Sequence, residues 1–343
     1  MRIETANDPV GFASLVPHET TVHSPLTEPC GDGEHGYGLD IAFRHSGWLA
    51  DRERVRLALV ACEIAPPRVE RFVRCGADAW LQRSNEHADR YRISANYCHD
   101  RFCVPCAVAR GRLIAARICE WLGNQPARFI TLTLAADLLP LADRLDRLYG
   151  AFRKLRRSGW WRDCCPDGLA TVEIKWNVKS ANWHPHLHIL CRSSYVAQDQ
   201  LSLEWHKATG DSYIVDVRLV NSPGEVANYV SKYIAKPGSN SVYRIPDRLQ
   251  EMIRALHGRR LLLCFGNCKL PDDPEDLDTD TWENIGPLSR ILFLANQGDA
   301  EAVALVASFQ KGNPCTTTNH PPPDLGYRQR PHPQIRSSVA LGG

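Results

Sequence analysis

The chain has 343 residues, of which 43% are apolar and 8% aromatic, and its formal net charge is +2 at pH 7. This length allows two domains with a sizeable core, and the composition is that of a folded globular protein. The sequence has no apolar run of about eighteen residues and no basic, apolar leader at its N-terminus, so we expect no membrane span, no secretion and a cytoplasmic location.

The small net charge hides an uneven distribution. Between Arg101 and Arg162 there are 12 Lys and Arg residues against 4 Asp and Glu, whereas Pro271 to Ile285 carries 7 acidic residues and no basic one. A basic field of this kind suits a polyanion, and a set of solvated helix faces is the alternative.

The first two segments differ in character. Residues 1–53 are rich in Pro, Gly, His and Thr without sustained periodicity, which predicts a mostly disordered arm. Residues 54–125 form a Cys-bearing module that ends in a basic helix at 107–122, where apolar residues recur at helical spacing with arginines between them.

The cysteines of this module have the spacing of metal ligands. Cys98, Cys103 and Cys106 form a Cys-x₄-Cys-x₂-Cys cluster, and Cys75 precedes it. In a reducing compartment such cysteines favour metal binding over disulfides, and four thiolates suit a closed, tetrahedral, structural Zn²⁺ site. His99 or Cys119 can replace Cys75 as the fourth ligand, and free buried thiols are the alternative.

Residues 126–270 alternate between strand and helix patterns. Strands are predicted at 128–135, 169–178, the histidine stretch and 212–220, and helices at 138–157, 198–208 and 223–236. The order β-α-β-β-α-β-α predicts an α+β fold with a ferredoxin-like antiparallel sheet covered by helices on one face. A helix at 246–257 and a strand at 260–265 follow. Residues 271–343 are predicted to be an acidic linker, a helical piece at 287–310 and a disordered Pro-rich tail.

The histidine stretch is the run Trp183-His-Pro-His-Leu-His-Ile-Leu190. Side chains of a strand alternate between faces, so His184, His186 and His188 share one face at intervals of about 6 to 7 Å. His186 and His188 can therefore converge on one divalent ion. Glu173, on the preceding strand, is the best candidate for a third ligand, and a solvated strand glutamate is the alternative. Two histidines and a carboxylate suit Mn²⁺, or Mg²⁺ when phosphate oxygens complete the shell.

The predicted helix at 223–236 carries a second set of reactive groups. Residues four apart on a helix are neighbours, so Glu225, Tyr229 and Tyr233 form one stripe, with Lys232 beside it. Tyrosines at this spacing often serve packing alone. A phenol, with a pKa near 10, becomes a nucleophile when a cation polarises its target phosphate or a neighbour stabilises the phenolate.

Three motifs in this order resemble those of HUH endonucleases. They are the strand Phe129 to Leu134, the His186-Leu-His188 pair and the Tyr229-Val-Ser-Lys232-Tyr233 helix. More narrowly, the chain is similar to rolling-circle replication initiators of small plasmids and single-stranded DNA phages, which show a similar Cys-rich segment followed by arginines. The resemblance spans roughly residues 75–265.

This resemblance implies a metal-dependent nick at a replication origin. The metal held by His186 and His188 polarises the scissile phosphate, and Tyr229 attacks to give a 5′-phosphotyrosine and a free 3′-OH. Termination then uses Tyr233 as a second acceptor or Glu225 to activate water, and either tyrosine can act first. The implied partners are single-stranded or supercoiled origin DNA and a host helicase.

Several basic and aromatic side chains are candidates for DNA contacts. Trp160, Trp161, Trp176 and Trp183 offer faces for base stacking or core packing. The predicted phosphate contacts are Arg110, Arg112, Arg117, Lys154, Arg156 and Arg157.

Three other functions compete with this interpretation. HUH-type transposases share the chemistry, paired tyrosines and Cys-rich segments. The three alternating histidines also resemble histidine-triad nucleotide hydrolases, although Pro185, the Cys-rich module and the Tyr-Lys helix have no role there. A non-catalytic zinc protein that binds nucleic acid leaves the histidines and the tyrosine stripe unexplained.

Overall fold

Two antiparallel sheets and their flanking helices make up the described part of the computed structural model, residues 39–220, 222, 225–226, 237–269 and 280–311. The α+β class predicted from the sequence is confirmed. Within these ranges no helix combines the length and apolar character needed to cross a lipid bilayer.

The module that carries the cysteines begins earlier than predicted. Two helices start inside the predicted 1–53 arm, and the prediction is wrong for residues 39–53. The reason is tertiary, because the buried Asp40 accepts the N–H of Ala79 at 3.1 Å and the buried His45 contacts the carbonyl oxygen of Cys75 at 3.1 Å. The elements are α1 (Leu39–Arg44), α2 (Leu49–Ala61), α3 (Pro66–Val73), β1 (Trp80–Ser84), β2 (Tyr91–Ser94) and α4 (Val104–Leu122).

The central sheet follows the predicted β-α-β-β-α-β order. Its elements are β3 (Ala127–Thr133), α5 (Leu141–Arg157), α6 (Gly159–Cys164), β4 (Gly168–Asn177), β5 (Asn182–Arg192), α7 (Gln198–Thr209) and β6 (Val215–Leu219). After two helices, Asn240–Tyr243 and Pro246–Ala255, β7 (Leu262–Phe265) joins the sheet, which has the order β6-β3-β5-β4-β7. The first four of these strands, β6-β3-β5-β4, have the arrangement of the predicted ferredoxin-like unit.

The two faces of this sheet are buried differently. On one face Leu132, Val172 and Leu187 belong to the main core, together with leucines of α5 and α7. The opposite face is apolar at one end, which we call the apolar end, and there α4 packs against it. Helices therefore lie on both faces and not on one as predicted, because the apolar end needs cover. The apolar end and its α4 partners are Phe129, Leu169, Leu190, Ala115, Ile118 and Leu122.

A second sheet, of order β2-β1-β8, lies in the module at the start of the chain. Its strand β8 (Trp282–Pro287) comes from the region predicted as acidic linker and pairs with β1 across about 200 residues of sequence. The prediction missed β8 because it is short and ends in Gly286 and Pro287. Helices Leu288–Asn296 and Ala300–Lys311 correspond to the predicted helical piece.

Candidate functional site

Three histidines of β5 define a polar surface on the central sheet. His184, His186 and His188 alternate with residues such as Leu187 and Ile189, which are completely buried on the other face. His186 pairs with Glu173 of β4, and His188 pairs with Thr171 of β4 and Thr131 of β3, so these side chains share a face. We call this surface the histidine face. The histidine face and the apolar end lie on the same side of the sheet.

His188 lies at the centre of this face and is nearly buried, at 5% exposure. Its Nε2 is 3.0 Å from Oε2 of Glu173, and its Nδ1 is 3.2 Å from the hydroxyl oxygen of Thr131. Because a hydroxyl can donate or accept, Thr131 can hold the ring in either tautomer. Lys175 Nζ lies 3.0 Å from the same Glu173 oxygen. The contacts fix both the ring and the carboxylate in one orientation.

The charge states of these groups suit metal ligands. Burial opposes ionisation of Glu173, but the hydrogen bonds from His188 and Lys175 outweigh it and lower the pKa of the carboxyl to about 2. Burial, followed by the charge of Lys175, lowers the pKa of His186 to about 4. Burial and then the charge of Arg144 also lower the pKa of His184. At neutral pH Glu173 is thus ionised and the imidazole of His186 is neutral, as coordination requires.

His188 and Glu173 are close enough to be neighbouring ligands of one divalent cation. Two ligands that lie next to each other around an octahedral ion, each about 2.1 Å from it, are about 3.0 Å apart, and this is the distance between His188 Nε2 and Glu173 Oε2. The rings of His186 and His188 are nearly parallel, with centroids 6.2 Å apart. The structure does not bring the donor atoms of His186, His188 and Glu173 as close together as the four cysteine sulfurs described below, which all lie within 4.8 Å of one another. A Mn²⁺ or Mg²⁺ site at these three residues therefore stays a prediction.

His184 and Thr131 qualify the sequence analysis in different ways. The ring of His184 is 6.5 Å from that of His186 and lies near the start of β5, outside the His188–Glu173 contact. Thr131 was not predicted as a site residue. Alternation on β3 identifies its polar face, but only the pairing of β3 with β5 puts Thr131 opposite His188.

The predicted tyrosine helix is described only at its start. Tyr229, Lys232 and Tyr233 lie outside the described residues. Glu225 is helical and exposed, and its N–H donates to the Ser222 hydroxyl at 3.2 Å, as expected at a helix start.

Both sides of this segment are attached to the central sheet. Val226 is completely buried and packs with Phe129 and Leu190 at the apolar end. On the far side, Gly238 forms a parallel bridge with Ile174, which follows Glu173 in β4. The chain therefore leaves the described region on the face that carries the histidines and returns beside Glu173.

The predicted phosphate contacts fall on two helices. On α4, Arg110 and Arg112 are exposed, and Arg117 pairs with Glu120 at 3.1 Å. On α5, which covers the face opposite the histidines, Lys154 and Arg157 are exposed. Arg156 lies over the ring of Phe265 at 4.8 Å. The α4 residues therefore lie on the helix that packs on the histidine side of the sheet, whereas the α5 residues lie on the opposite side.

Two of the four tryptophans are core residues. Trp161 and Trp183 are each only 1% exposed, so core packing, one of the two alternatives, is confirmed for both and neither offers a face for base stacking. Trp183 packs edge-on against Trp176, with centroids 5.0 Å apart, and its Nε1 donates to Glu251 at 2.8 Å. Trp160 and Trp176 are half-buried.

Four cysteines form a compact group, which we call the cysteine cluster: Cys75, Cys98, Cys103 and Cys106. The Sγ atom of Cys106 is 3.5 Å from that of Cys75 and 3.7 Å from that of Cys98, and Cys75 and Cys103 are 3.7 Å apart. Tetrahedral Zn²⁺ with bonds of about 2.3 Å separates its sulfurs by about 3.8 Å. The cluster can therefore hold a metal ion such as zinc, and neither His99 nor Cys119 is part of it.

The surroundings of the cluster favour thiolates. The half-buried Arg44 donates from its guanidinium to Cys106 Sγ at 3.5 Å and lies over the ring of Tyr97 at 3.9 Å. The backbone N–H of Asp100 donates to Cys98 Sγ at 3.4 Å. A nearby cation and an N–H donor both stabilise the negative charge of a metal-bound thiolate.

Replacing Cys106 by serine is expected to remove bound zinc and destabilise the protein. Losing a structural zinc site should cost several kcal/mol, which corresponds to a fall in Tm of about 10 °C or more. Metal analysis and thermal unfolding would measure both effects. Cys119→Ser, on the same helix but outside the cluster, should keep the metal and nearly the wild-type Tm. Unchanged zinc content in Cys106→Ser would contradict the assignment.

Comparison with known proteins places the chain among replication proteins. Residues 90–307 match the model of a family described as Replication protein. The chain is 25% identical over 177 residues to the Protein rep of Streptococcus pneumoniae, covering 46% of this chain and 55% of that protein. It is 27% identical over 141 residues to the Protein rep of Staphylococcus aureus, covering 36% and 62% respectively. The match thus spans between half and two thirds of each relative's length, and no solved structure matches the chain.

Proposed function

The chain belongs to the Replication protein family, and from this premise we propose that it is a rolling-circle replication initiator with HUH-type chemistry. In this proposal it nicks and rejoins single-stranded DNA at an origin, uses a divalent metal, and passes through a 5′-phosphotyrosine intermediate.

One observation carries the proposal. Glu173 and His188 meet at 3.0 Å on the face that also carries His186. Before the tyrosine segment, Val226 packs on that side of the sheet, and after it Gly238 bridges the edge of β4 next to Glu173. The electrophilic and nucleophilic parts of a nicking site would therefore lie near each other. The family match supports the same assignment independently.

The residues of the histidine face would hold and orient the scissile phosphate. His186, His188 and Glu173 would bind Mn²⁺ or Mg²⁺, and such an ion polarises the phosphate and offsets its developing charge. Thr131 would keep the His188 ring in position through its contact with Nδ1. Lys175, 3.0 Å from Glu173, would help to keep the carboxylate ionised.

Tyr229 would then act as the nucleophile. Its phenol loses a proton, its oxygen forms a bond to phosphorus, and the bond from phosphorus to the 3′ oxygen breaks. The 3′ oxygen takes up a proton and becomes the free 3′-OH primer. Lys232, three residues along the predicted helix, would stabilise the phenolate, whose parent phenol has an unperturbed pKa of about 10. Rejoining or release would use Tyr233, or a water activated by Glu225.

The remaining alternatives explain fewer observations. A transposase would use the same chemistry, but the matching family is one of replication proteins. A nucleotide hydrolase or a purely DNA-binding zinc protein gives no role to the paired Glu173 and His188. We therefore expect origin DNA as substrate and a host helicase as partner.

The proposal is tested by incubating the protein with a single-stranded oligonucleotide that carries the origin, in the presence of Mn²⁺. We expect a protein–DNA adduct that survives boiling in detergent, together with a released fragment that has a 3′-OH. The chelator EDTA should prevent both, and added Mn²⁺ should restore them. Absence of adduct and cleavage across candidate origins would reject the proposal.

A further inference from the structure

A polar cleft of about 400 Å³ lies beside the cysteine cluster, between α3, the loop at 98–102 and the end of the helix Pro246–Ala255. Its charged lining consists of Arg68, Arg71, Arg101 and Asp100, which gives a net charge of +2 with both lining histidines neutral. A water molecule occupies about 30 Å³, so the cleft has room for a phosphate with its sugar. We call it the arginine cleft.

Asp100 does not neutralise the positive charge of Arg71 and Arg101, because its carboxylate is already paired with Arg68. Its carboxylate pairs with Arg68, at 2.6 Å to Nε and 3.3 Å to Nη2, and also accepts the N–H of Phe102 at 2.9 Å. The carboxylate is only 6% exposed. Arg68 and Asp100 thus cancel each other, and the uncompensated positive charge belongs to Arg71 and Arg101.

Arg101 is held as an anchored cation. Its Nη1 donates to the carbonyl oxygens of Leu256 at 3.2 Å and Arg259 at 2.9 Å. Within the described ranges its Nε and Nη2 have no protein acceptor, and Arg71 is exposed without an ion pair. Carbonyl oxygens fix the guanidinium without neutralising it, so its other N–H groups remain for an anion.

We propose that the arginine cleft binds the phosphodiester backbone of DNA at a distance from the histidine face. The inference rests on the proposed function for the identity of the nucleic acid. Binding of the backbone and not of a base is favoured because the phenyl ring in the lining, that of Phe102, is only 2% exposed.

Helix α4 supports a polymer as the ligand over a free nucleotide. The helix begins next to the cleft at Val104, carries the exposed Arg110 and Arg112, and packs at Ile118 and Leu122 on the histidine side of the sheet. Its 19 residues span about 28 Å. Arg110 and Arg112 lie about 9 and 12 Å along the helix from Val104, so DNA that passes from the cleft along α4 would reach them after about three or four nucleotides at 3.4 Å each.

The test compares two arginines near the end of α3. Arg71→Ala removes a cleft cation, and Arg74→Ala removes an exposed one that pairs with Asp78 and does not line the cleft. Fluorescence anisotropy would measure binding to a short oligonucleotide around the nick site and to one extended by about fifteen nucleotides on each side. For the long oligonucleotide at 0.1 M salt, Arg71→Ala should lose about fivefold in affinity and about 0.7 in salt slope. Arg71→Ala should bind the short oligonucleotide as tightly as wild type does. Arg74→Ala should bind both oligonucleotides as tightly as wild type does.

Two results would overturn the inference. One is an affinity and salt slope of Arg71→Ala equal to wild type on the long oligonucleotide. The other is displacement of that DNA by millimolar AMP, beyond the effect of equal ionic strength and absent in Arg71→Ala, because it would assign the cleft to a free nucleotide. Adduct formation on the short oligonucleotide, measured in the same proteins, tests the nicking function separately, so the two failures are distinguishable.

Discussion

The Tyr229→Phe protein is expected to form no detergent-resistant adduct with an origin oligonucleotide. Phenylalanine keeps the ring but lacks the oxygen that would bond to phosphorus, so adduct formation should fall by more than about 1000-fold. Gel electrophoresis of a labelled oligonucleotide after boiling would measure it. DNA binding, followed by anisotropy, should stay within about twofold of wild type, because one hydroxyl contributes little to contacts made mainly by phosphates.

Two variants on the same predicted helix serve as controls. Tyr233→Phe should still form the first adduct, and it should lose strand transfer if Tyr233 is the second acceptor. Glu225→Gln should also form the adduct, and the adduct should persist if Glu225 activates water for release. An undiminished adduct in Tyr229→Phe would exclude Tyr229 as the first nucleophile.

The second large effect is expected for His188→Ala. His188 contacts both Glu173 and Thr131, so its loss removes a proposed metal ligand and releases the carboxylate that it orients. Loss of contacts that only orient a ligand costs about 10- to 100-fold, and we expect loss of the ligand itself to cost at least about 100-fold in cleavage rate. Single-turnover cleavage at saturating DNA and varied Mn²⁺ would show whether added metal restores part of the rate.

His184→Ala is the matched control for this prediction. His184 lies on the same face but outside the His188–Glu173 contact, so its removal should cost less than about tenfold. Circular dichroism would establish that both variants are folded, since His188 is nearly buried. Equal losses in the two variants, or wild-type cleavage by His188→Ala, would contradict the proposed ligand set.

Sequence periodicity predicted the central sheet because its strands and helices are patterned locally. The alternation of histidines with Leu187 and Ile189 specifies which side of β5 is buried, and the leucine spacing of α5 specifies its core stripe. The spacing of the cysteines likewise predicted the group that the structure brings together, including Cys75, which comes well before the other three.

Features that depend on distant contacts were missed. Strand β8 forms by pairing with β1, which is distant in sequence. Helix α1 is held in place by the hydrogen bond from the N–H of Ala79 to Asp40. The burial of Trp161 and Trp183 depends on tertiary packing, because no local sequence pattern distinguishes them from exposed tryptophans. Thr131 became a site residue only through strand register. In each case the information lies in tertiary pairing.

The most direct test of the nicking mechanism is to identify the residue that carries the DNA. The adduct formed with Mn²⁺ would be digested with nuclease and protease and examined by mass spectrometry. A nucleotide joined through its 5′-phosphate to Tyr229 is the predicted result. A nucleotide attached to a histidine, or the absence of any covalent nucleotide while the DNA is cleaved, would contradict the mechanism.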